Sequence, residues 1–385
     1  MTPGEDNIFD LAVIGSGPAG SLAAALAAES GLSTVFLESK KHPRTKICGG
    51  FLSARSIALL PGDFKISSLH SEAVYQVSVI KKRKPYIYNS KKRLGLVIDR
   101  KYFDRLLAEY ARSKGARLRE NEPLHALNII SAGNGKDTYY LLETGLPAGG
   151  SLKARYLVAA DGAMGATAQL AGLRKYRKGP SGWGLSHITN TKSKVADTGT
   201  LKFYPLPFLG GMGWSFSGPD WTNHGAGGLL GRRLLIKAFH RIFYDEPENM
   251  NPSSWPLPFL GPLQQVAEGN LLLIGDAAGL VEPFSGEGLY NSFSSSILAV
   301  EAIRAAERKG GNAADFYNLF FSEHFRKNFA ACLWGAFLLY ARSVLRPSSL
   351  PHYMAALMEN KLWFNRDVGD LAAQADDPLT DIIKD

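Results

Sequence analysis

Cysteine is nearly absent, with Cys48 and Cys332 the only two in 385 residues. Two thiols cannot hold a four-cysteine iron–sulfur cluster and make no disulfide framework, which suits a thiol-reduced compartment. Long apolar runs are lacking too. The longest, Phe329 to Tyr340, falls short of the roughly twenty residues that cross a bilayer and suits a buried or membrane-surface helix. The amino end, Met1 to Asp6, is acidic and has neither the basic start nor the apolar run of a signal peptide, so the expected location is cytoplasmic. No histidine pair has helix-face metal spacing, and no Gly-x-Ser-x-Gly elbow argues for hydrolysis, so neither a metal site nor a serine hydrolase is expected. Acid is in deficit: 44 Lys and Arg against 35 Asp and Glu give a net charge of +9. The excess sits in Lys81–Lys84, Lys91–Arg93, Arg174–Lys178 and Arg232–Arg233, which read as solvated loops or as a draw for anionic lipid or polyphosphate. No RNA-binding strand or zinc finger accompanies them, so no nucleic-acid partner is expected.

What is present begins with a strand, a glycine turn and a helix. Asp10 to Ile14 runs into Gly15-x-Gly17-x-x-Gly20, with Pro18 and Ala19 inside the turn, and the next strand, from Thr34, ends on Glu38 followed by Ser39. Gly15 permits the tight turn, Gly17 lets a pyrophosphate approach the backbone, and Gly20 lets the helix pack on the strand. The helix N-terminus offers unpaired N–H groups to the phosphates. Glu38 is placed to accept hydrogen bonds from a ribose 2′-hydroxyl and to repel a 2′-phosphate, which points to FAD or NAD and not NADP.

Further along, Arg44 to Ser53 forms a loop in which the adjacent Gly49 and Gly50 let backbone run flush against a flat ligand. Residues 75–79 and 86–88 alternate as strands joined by a basic hairpin, and Val97 to Arg100 leads into an amphipathic helix carrying Phe103, Leu106, Leu107 and Tyr110. A strand from Ala154 to Ala160 ends in Asp161-Gly162. Between Gly199 and Leu230 the pattern is β, with Met212, Trp214 and Phe216 on one face. Asn270 to Ile274 then runs into Gly275-Asp276, and a long helix follows Gly286-Glu287-Gly288, beginning near Leu289. From Phe316 to about Trp363 the sequence is mostly helical.

Three separated elements, Gly15-x-Gly17-x-x-Gly20, Asp161-Gly162 and Gly275-Asp276, stand in the order found in FAD-dependent enzymes resembling p-hydroxybenzoate hydroxylase. Within that superfamily the chain most resembles the geranylgeranyl reductase family. The likeness rests on Lys46-Ile-Cys48-Gly49-Gly50, on Gly211 to Phe216 running to Asn223 and Gly228, on Gly275 to Gly279, and on Pro283 to Gly288. It departs from the family at Ser217, where proline is usual, and at Ser285, where threonine is common.

The resemblance implies an α/β fold: a Rossmann-like FAD-binding domain (1–70, 95–172 and 266–312) interleaved with an antiparallel β-sheet substrate domain (71–94 and 173–265), followed by a C-terminal helical region (313–385). It implies FAD as cofactor, held by the three elements and by Arg100, which resembles an arginine that reaches toward the FAD. The helix start at Gly286–Gly288 would face the flavin's pyrimidine edge and stabilise the charge of its reduced form. Glu287 is counted with that segment, although its carboxylate would oppose this charge unless turned away or protonated, and it takes no catalytic role. In the resembling reductases, hydride reaches an isoprenoid C=C bond while an acid protonates the other carbon. Cys48, the titratable residue of its glycine loop, is the candidate catalytic or gating group.

Tyr204, Phe208, Trp214 and Phe216 are expected to wall an apolar, lipid-like substrate slot. No second dinucleotide fold is visible, leaving a ferredoxin, a quinol or a nicotinamide as electron donor. Two other functions share the nucleotide motifs: a flavin-dependent monooxygenase acting on an aromatic or apolar small molecule, and a non-catalytic flavin-binding protein at the membrane surface. A halogenase is disfavoured because its Trp-x-Trp-x-Ile signature is missing.

Overall fold

The computed structural model describes residues 8–131, 138–145, 150–173, 182–190, 198–206, 211–229, 231–244, 250–258, 265–282, 286–326, 329 and 347–358. The central eight-stranded sheet has its parallel strands in the order Leu271–Leu273, Gly150–Ala159, Ile8–Ile14, Thr34–Glu38 and Arg117–Glu120. An antiparallel hairpin, Leu124–Ser131 with Thr138–Thr144, pairs onto Gly150–Ala159. The inner parallel strands carry the core of this sheet: Leu11, Ala12, Val13, Val35, Leu157 and Leu272 are fully buried. Ile8–Ile14 lies between strands reached in opposite directions along the chain, and in such sheets ligands bind beyond the carboxyl ends of the strands at that reversal.

Two helices meet beside that point. Pro18–Glu29 is rich in alanine, and Leu289–Lys309 carries Ser292, Ser294, Ser295 and Ser296, all buried. Small residues let the helices approach closely, and the serine hydroxyls stay satisfied inside the core. Ser296 donates to Ala19 O at 2.8 Å and Ser295 accepts from Gly275 N at 3.0 Å. The amphipathic pattern after Val97 gives the helix Arg100–Ser113, capped by Asp99, with Phe103 and Leu107 buried.

The second large sheet has seven strands in the order Ser253–Leu257, Gly182–Asn190, Trp221–Gly228, Met212–Ser217, Thr200–Pro205, Gln76–Lys81 and Lys84–Asn89. It is antiparallel except for one parallel pair, Thr200–Pro205 with Gln76–Lys81. The basic hairpin turns at Lys82 and Arg83, both with positive φ, the geometry that a two-residue turn between twisted strands requires. A three-stranded sheet, Phe51–Ser53, Gly95–Ile98 and Ser71–Val74, lies between the larger sheets along the chain. In the C-terminal part, Ala313–Phe321 packs into the main core, while Leu350–Met358 lays Leu350, Met354 and Ala355 against the seven-stranded sheet. No helix among the described residues is long and apolar enough to cross a membrane.

Candidate functional site

A cavity of about 750 Å³ runs from the first glycine turn to the seven-stranded sheet. At one end the three glycines have separate geometries. Gly15 has φ +100°, and a Cβ there would lie 2.4 Å from Ala160 O; a Cβ on Gly20 would lie 1.8 Å from Gly15 O. Both are closed to side chains, whereas a Cβ on Gly17 would meet only Arg44, at 3.6 Å. The helix that starts at Pro18 has no side-chain cap, so its first amides are left to a ligand. Pro18 and Ala19 line the cavity beside Gly15 and Gly17.

Glu38 closes its strand with both carboxylate oxygens engaged. Ser16 Oγ donates to it at 2.9 Å, Arg44 Nε at 2.9 Å, and Ser39 Oγ at 3.2 Å. Burial alone would raise its pKa, but Arg44 and Ser16 more than offset this and hold the carboxyl below its ordinary range. Arg44 also pairs with Asp104 at 3.3 Å. Arg100 lines the cavity with its guanidinium gripped by Asp104 at 2.7 and 3.1 Å. Burial opposes that charge, yet Asp104 and Cys48 outweigh it and raise the Arg100 pKa. Arg44, Asp104 and Lys46 were not anticipated as site residues. The i, i+4 spacing of Arg100 and Asp104 and the cations flanking Thr45 were the available signals.

The Cys48 loop is fastened to the second sheet through one side chain. Asn223 Nδ2 donates to Cys48 O at 2.8 Å, while Asn223 Oδ1 accepts from Trp214 Nε1 at 3.0 Å and from Ser186 Oγ at 3.1 Å. Trp214 stacks on Phe216 at 6.2 Å, and a Cβ on Gly49 would sit 3.1 Å from the Phe216 ring. Gly50 has φ +79° and runs so close to Ile98 O that a Cβ would lie 2.5 Å away. The thiol of Cys48 is half-buried and faces the cavity wall near Arg100.

Met212, Trp214 and Phe216 share the cavity-facing side of their strand. Tyr204 does not join them. It lies under the helix Arg232–Ile242, 5.4 Å from the Phe243 ring, and its neighbour Phe203 faces the cavity in its place, because strand alternation sends successive side chains to opposite faces. Phe208 falls outside the described residues, as do Pro283 to Ser285.

On the far wall, Asp161 is pinned by Thr167, which donates from its N at 2.9 Å and its Oγ1 at 2.6 Å, and Gly162 takes φ +78°. Gly275 fits between Ala19 and Ser292, each within 3.2 Å of a Cβ placed there. The Asp276 carboxylate faces the cavity and has no hydrogen-bond partner among the described residues; a Cβ on Gly288 would lie 3.3 Å from its Oδ1. The Leu289–Lys309 helix begins without a side-chain cap, behind Gly286 at φ +71°. Glu287 turns its carboxylate away to Arg55 at 2.5 Å, Ser53 at 2.5 Å and Ser56 at 2.8 Å. Burial works against its ionisation, but Arg55 and the two serines prevail and its pKa is lowered. The charge that would have opposed a reduced flavin is thus neutralised within the protein, and the segment offers backbone to the cavity.

Two uncapped helix starts, one open glycine and one unpartnered carboxylate suit a dinucleotide carrying a pyrophosphate and a polyol. Comparison with known proteins agrees. Residues 9–204 match the FAD binding domain family. A digeranylgeranylglycerophospholipid reductase of Methanococcus aeolicus is 24% identical over 328 residues, 81% of this chain and 80% of that protein. A geranylgeranyl bacteriochlorophyll reductase-like protein of Thermoplasma acidophilum superposes with a TM-score of 0.73 at 21% identity, over 98% of each chain. A point mutant of the halogenase PltM in complex with FAD superposes at 0.69 with 16% identity, over 96% of this chain and 86% of that one.

Proposed function

This chain belongs to the FAD binding domain family, and from that premise we propose that it is an oxidoreductase of the geranylgeranyl reductase type, reducing C=C bonds of an isoprenoid or other lipid-like substrate. The observation that carries the reading is the Asn223 bridge, which seats the Cys48 loop against Trp214 and joins an apolar wall to a dinucleotide cradle in one cavity. Such a wall recognises hydrocarbon by area and shape.

FAD, when reduced, supplies the hydride. The Gly15–Gly20 turn and Arg44 would hold its pyrophosphate and adenosine side, with Glu38 exchanging part of its internal bonding for the ribose. Asp161, Gly162 and Asp276 would hold the central linker, and the uncapped amides after Gly288 would meet the ring. Phe203, Met212, Trp214, Phe216 and Met354 would exclude water around the alkene. Cys48, held near the Arg100 guanidinium, would position or deliver the proton. On this reading the seven-stranded sheet is the substrate side of the molecule and the eight-stranded sheet the cofactor side. The electron donor would be a ferredoxin, a quinol or a nicotinamide, and the substrate would be drawn from a membrane surface.

The test is to reduce the purified protein anaerobically, add geranylgeraniol, and weigh the product by mass spectrometry. Gain of hydrogen pairs supports the proposal. Gain of oxygen on readmitting air, with no gain of hydrogen, overturns it in favour of a monooxygenase. Flavin that no donor reduces overturns it in favour of a non-catalytic role.

A further inference from the structure

Most cations lining the cavity have a carboxylate or are solvated. Arg44 pairs with Glu38 and Asp104, Arg100 pairs with Asp104, and Lys40 is exposed. Lys46 differs. Half-buried, it has no hydrogen-bond or ion-pair partner among the described residues, and its ammonium lies 4.2 Å from the centroid of the Trp255 ring. An ammonium has three N–H donors, and an aromatic face satisfies none of them as an oxygen would. Trp255 brings an independent anomaly: its indole Nε1 is buried and has no hydrogen-bond partner among the described residues. Indole N–H can only donate, so both groups lack the same thing, an acceptor. Both line the cavity, beside Ser186 and Ser253 of adjoining strands.

We propose that Lys46 and the Trp255 indole N–H form an anion subsite in the cavity wall, taking a phosphate or diphosphate oxygen. The subsite rests on reading this cavity as the place where cofactor and lipid-like substrate meet. Its ligand chemistry is shared by two sources, the pyrophosphate of the dinucleotide and an acidic head group on the substrate. Burial lowers the Lys46 pKa, and the neighbouring Asp276 only partly opposes this, so an anion arriving there would relieve a desolvated charge. The edge strand Ser253–Leu257 supplies Trp255, so the subsite joins the loop that follows Glu38 to the edge of the second large sheet.

The experiment uses Lys46→Met and Trp255→Phe, the latter keeping an aromatic face and removing the N–H. Each variant is melted to confirm folding. FAD is titrated into the apoprotein, and geranylgeranyl diphosphate and geranylgeraniol are titrated into the flavin-loaded protein. Loss of about tenfold or more in FAD affinity in Lys46→Met, with a smaller loss in Trp255→Phe, supports the subsite and assigns it to the cofactor. Loss of a preference for diphosphate over alcohol, with FAD affinity kept, supports it and assigns it to the substrate head group. FAD affinity within about twofold of wild type in both variants, with diphosphate and alcohol affected alike or neither preferred, overturns it. If Lys46→Met does not fold, Trp255→Phe alone decides by the same readings. Wild-type protein that binds no FAD would sink the functional reading itself, an outcome separate from either variant's.

Discussion

Glu287 brings a full charge into a closed corner, and Arg55, Ser53 and Ser56 decide what that charge does. Arg55 and the hydroxyls of Ser53 and Ser56 hold the carboxylate ionised and away from the cavity. Because its folded pKa lies below the ordinary value for a glutamate, the stabilisation from this group is complete above that ordinary value and is lost as pH falls through the lowered one. Glu38 shifts in the same direction through Arg44. Glu287→Gln should cost roughly 3–5 kcal/mol near neutrality, since it leaves the Arg55 guanidinium without its counter-charge in a buried site. It should also flatten, without abolishing, the fall in melting temperature below pH ~4.5, because Glu38 still titrates. Melting curves from pH 7 down to about 2.5 on both proteins check this; equal slopes below pH ~4.5 would show that Glu287 is not the group responsible. At this scale the sequence was informative where backbone geometry dictates residue type. Gly15 and Gly20 stand where no Cβ fits and Gly17 where the cavity opens, as their spacing implied. It misplaced Tyr204, expected on the slot wall, because alternation fixes relative faces along a strand and leaves open which face the second layer covers.

Among elements, the Cys48 loop matters most, because it belongs to the chain of the first sheet and is tethered to the second. Asn223 makes that tether, bridging Cys48 O, Trp214 Nε1 and Ser186 Oγ. Asn223→Leu leaves a carbonyl and an indole N–H without partners, and should lower stability by about 1–3 kcal/mol. It should also speed proteolysis within residues 44–50 ahead of global unfolding. Denaturant titration and timed proteolysis test the two effects separately; an unchanged cleavage rate would mean the loop is held by Gly49 and Gly50 packing alone. The helix Pro18–Glu29 poses a complementary case. Gly20→Ala would force its Cβ into Gly15 O, so the helix must shift off the strand, costing about 1–3 kcal/mol and reducing flavin content at purification. Absorbance at the flavin bands after gel filtration checks it. Helices and strands themselves were readable, since amphipathic spacing marked Arg100–Ser113 and alternation marked Met212–Ser217. The Asn223 tether was not readable, because nothing in local periodicity relates positions 48 and 223.

For the molecule as a whole, the cavity joins segments that the chain delivers far apart: the turn at 15–20, the loop at 44–50, Asp161, Asp276 and the helix that starts at Leu289. The order of three short motifs made this convergence legible, because each sits at the carboxyl end of a parallel strand of one sheet and parallel strands bring their ends together. What they converge with was harder to read. The seven-stranded sheet contributes Trp214, Phe216 and Trp255 through inter-sheet packing that depends on tertiary geometry. A ligand that touches all of these must couple them. FAD at about a hundredfold excess over its Kd should therefore stabilise the apoprotein by about 2.7 kcal/mol. The increase in amide protection should appear at residues 15–20, at 44–50 and at 286–291 together, because the folded form competent to bind needs every segment in place at once. Hydrogen-exchange mass spectrometry with and without FAD tests this. Protection confined to the first turn would mean that the remote segments do not form one site, and that the cavity wall at Trp214 and Phe216 serves some ligand other than one meeting the flavin.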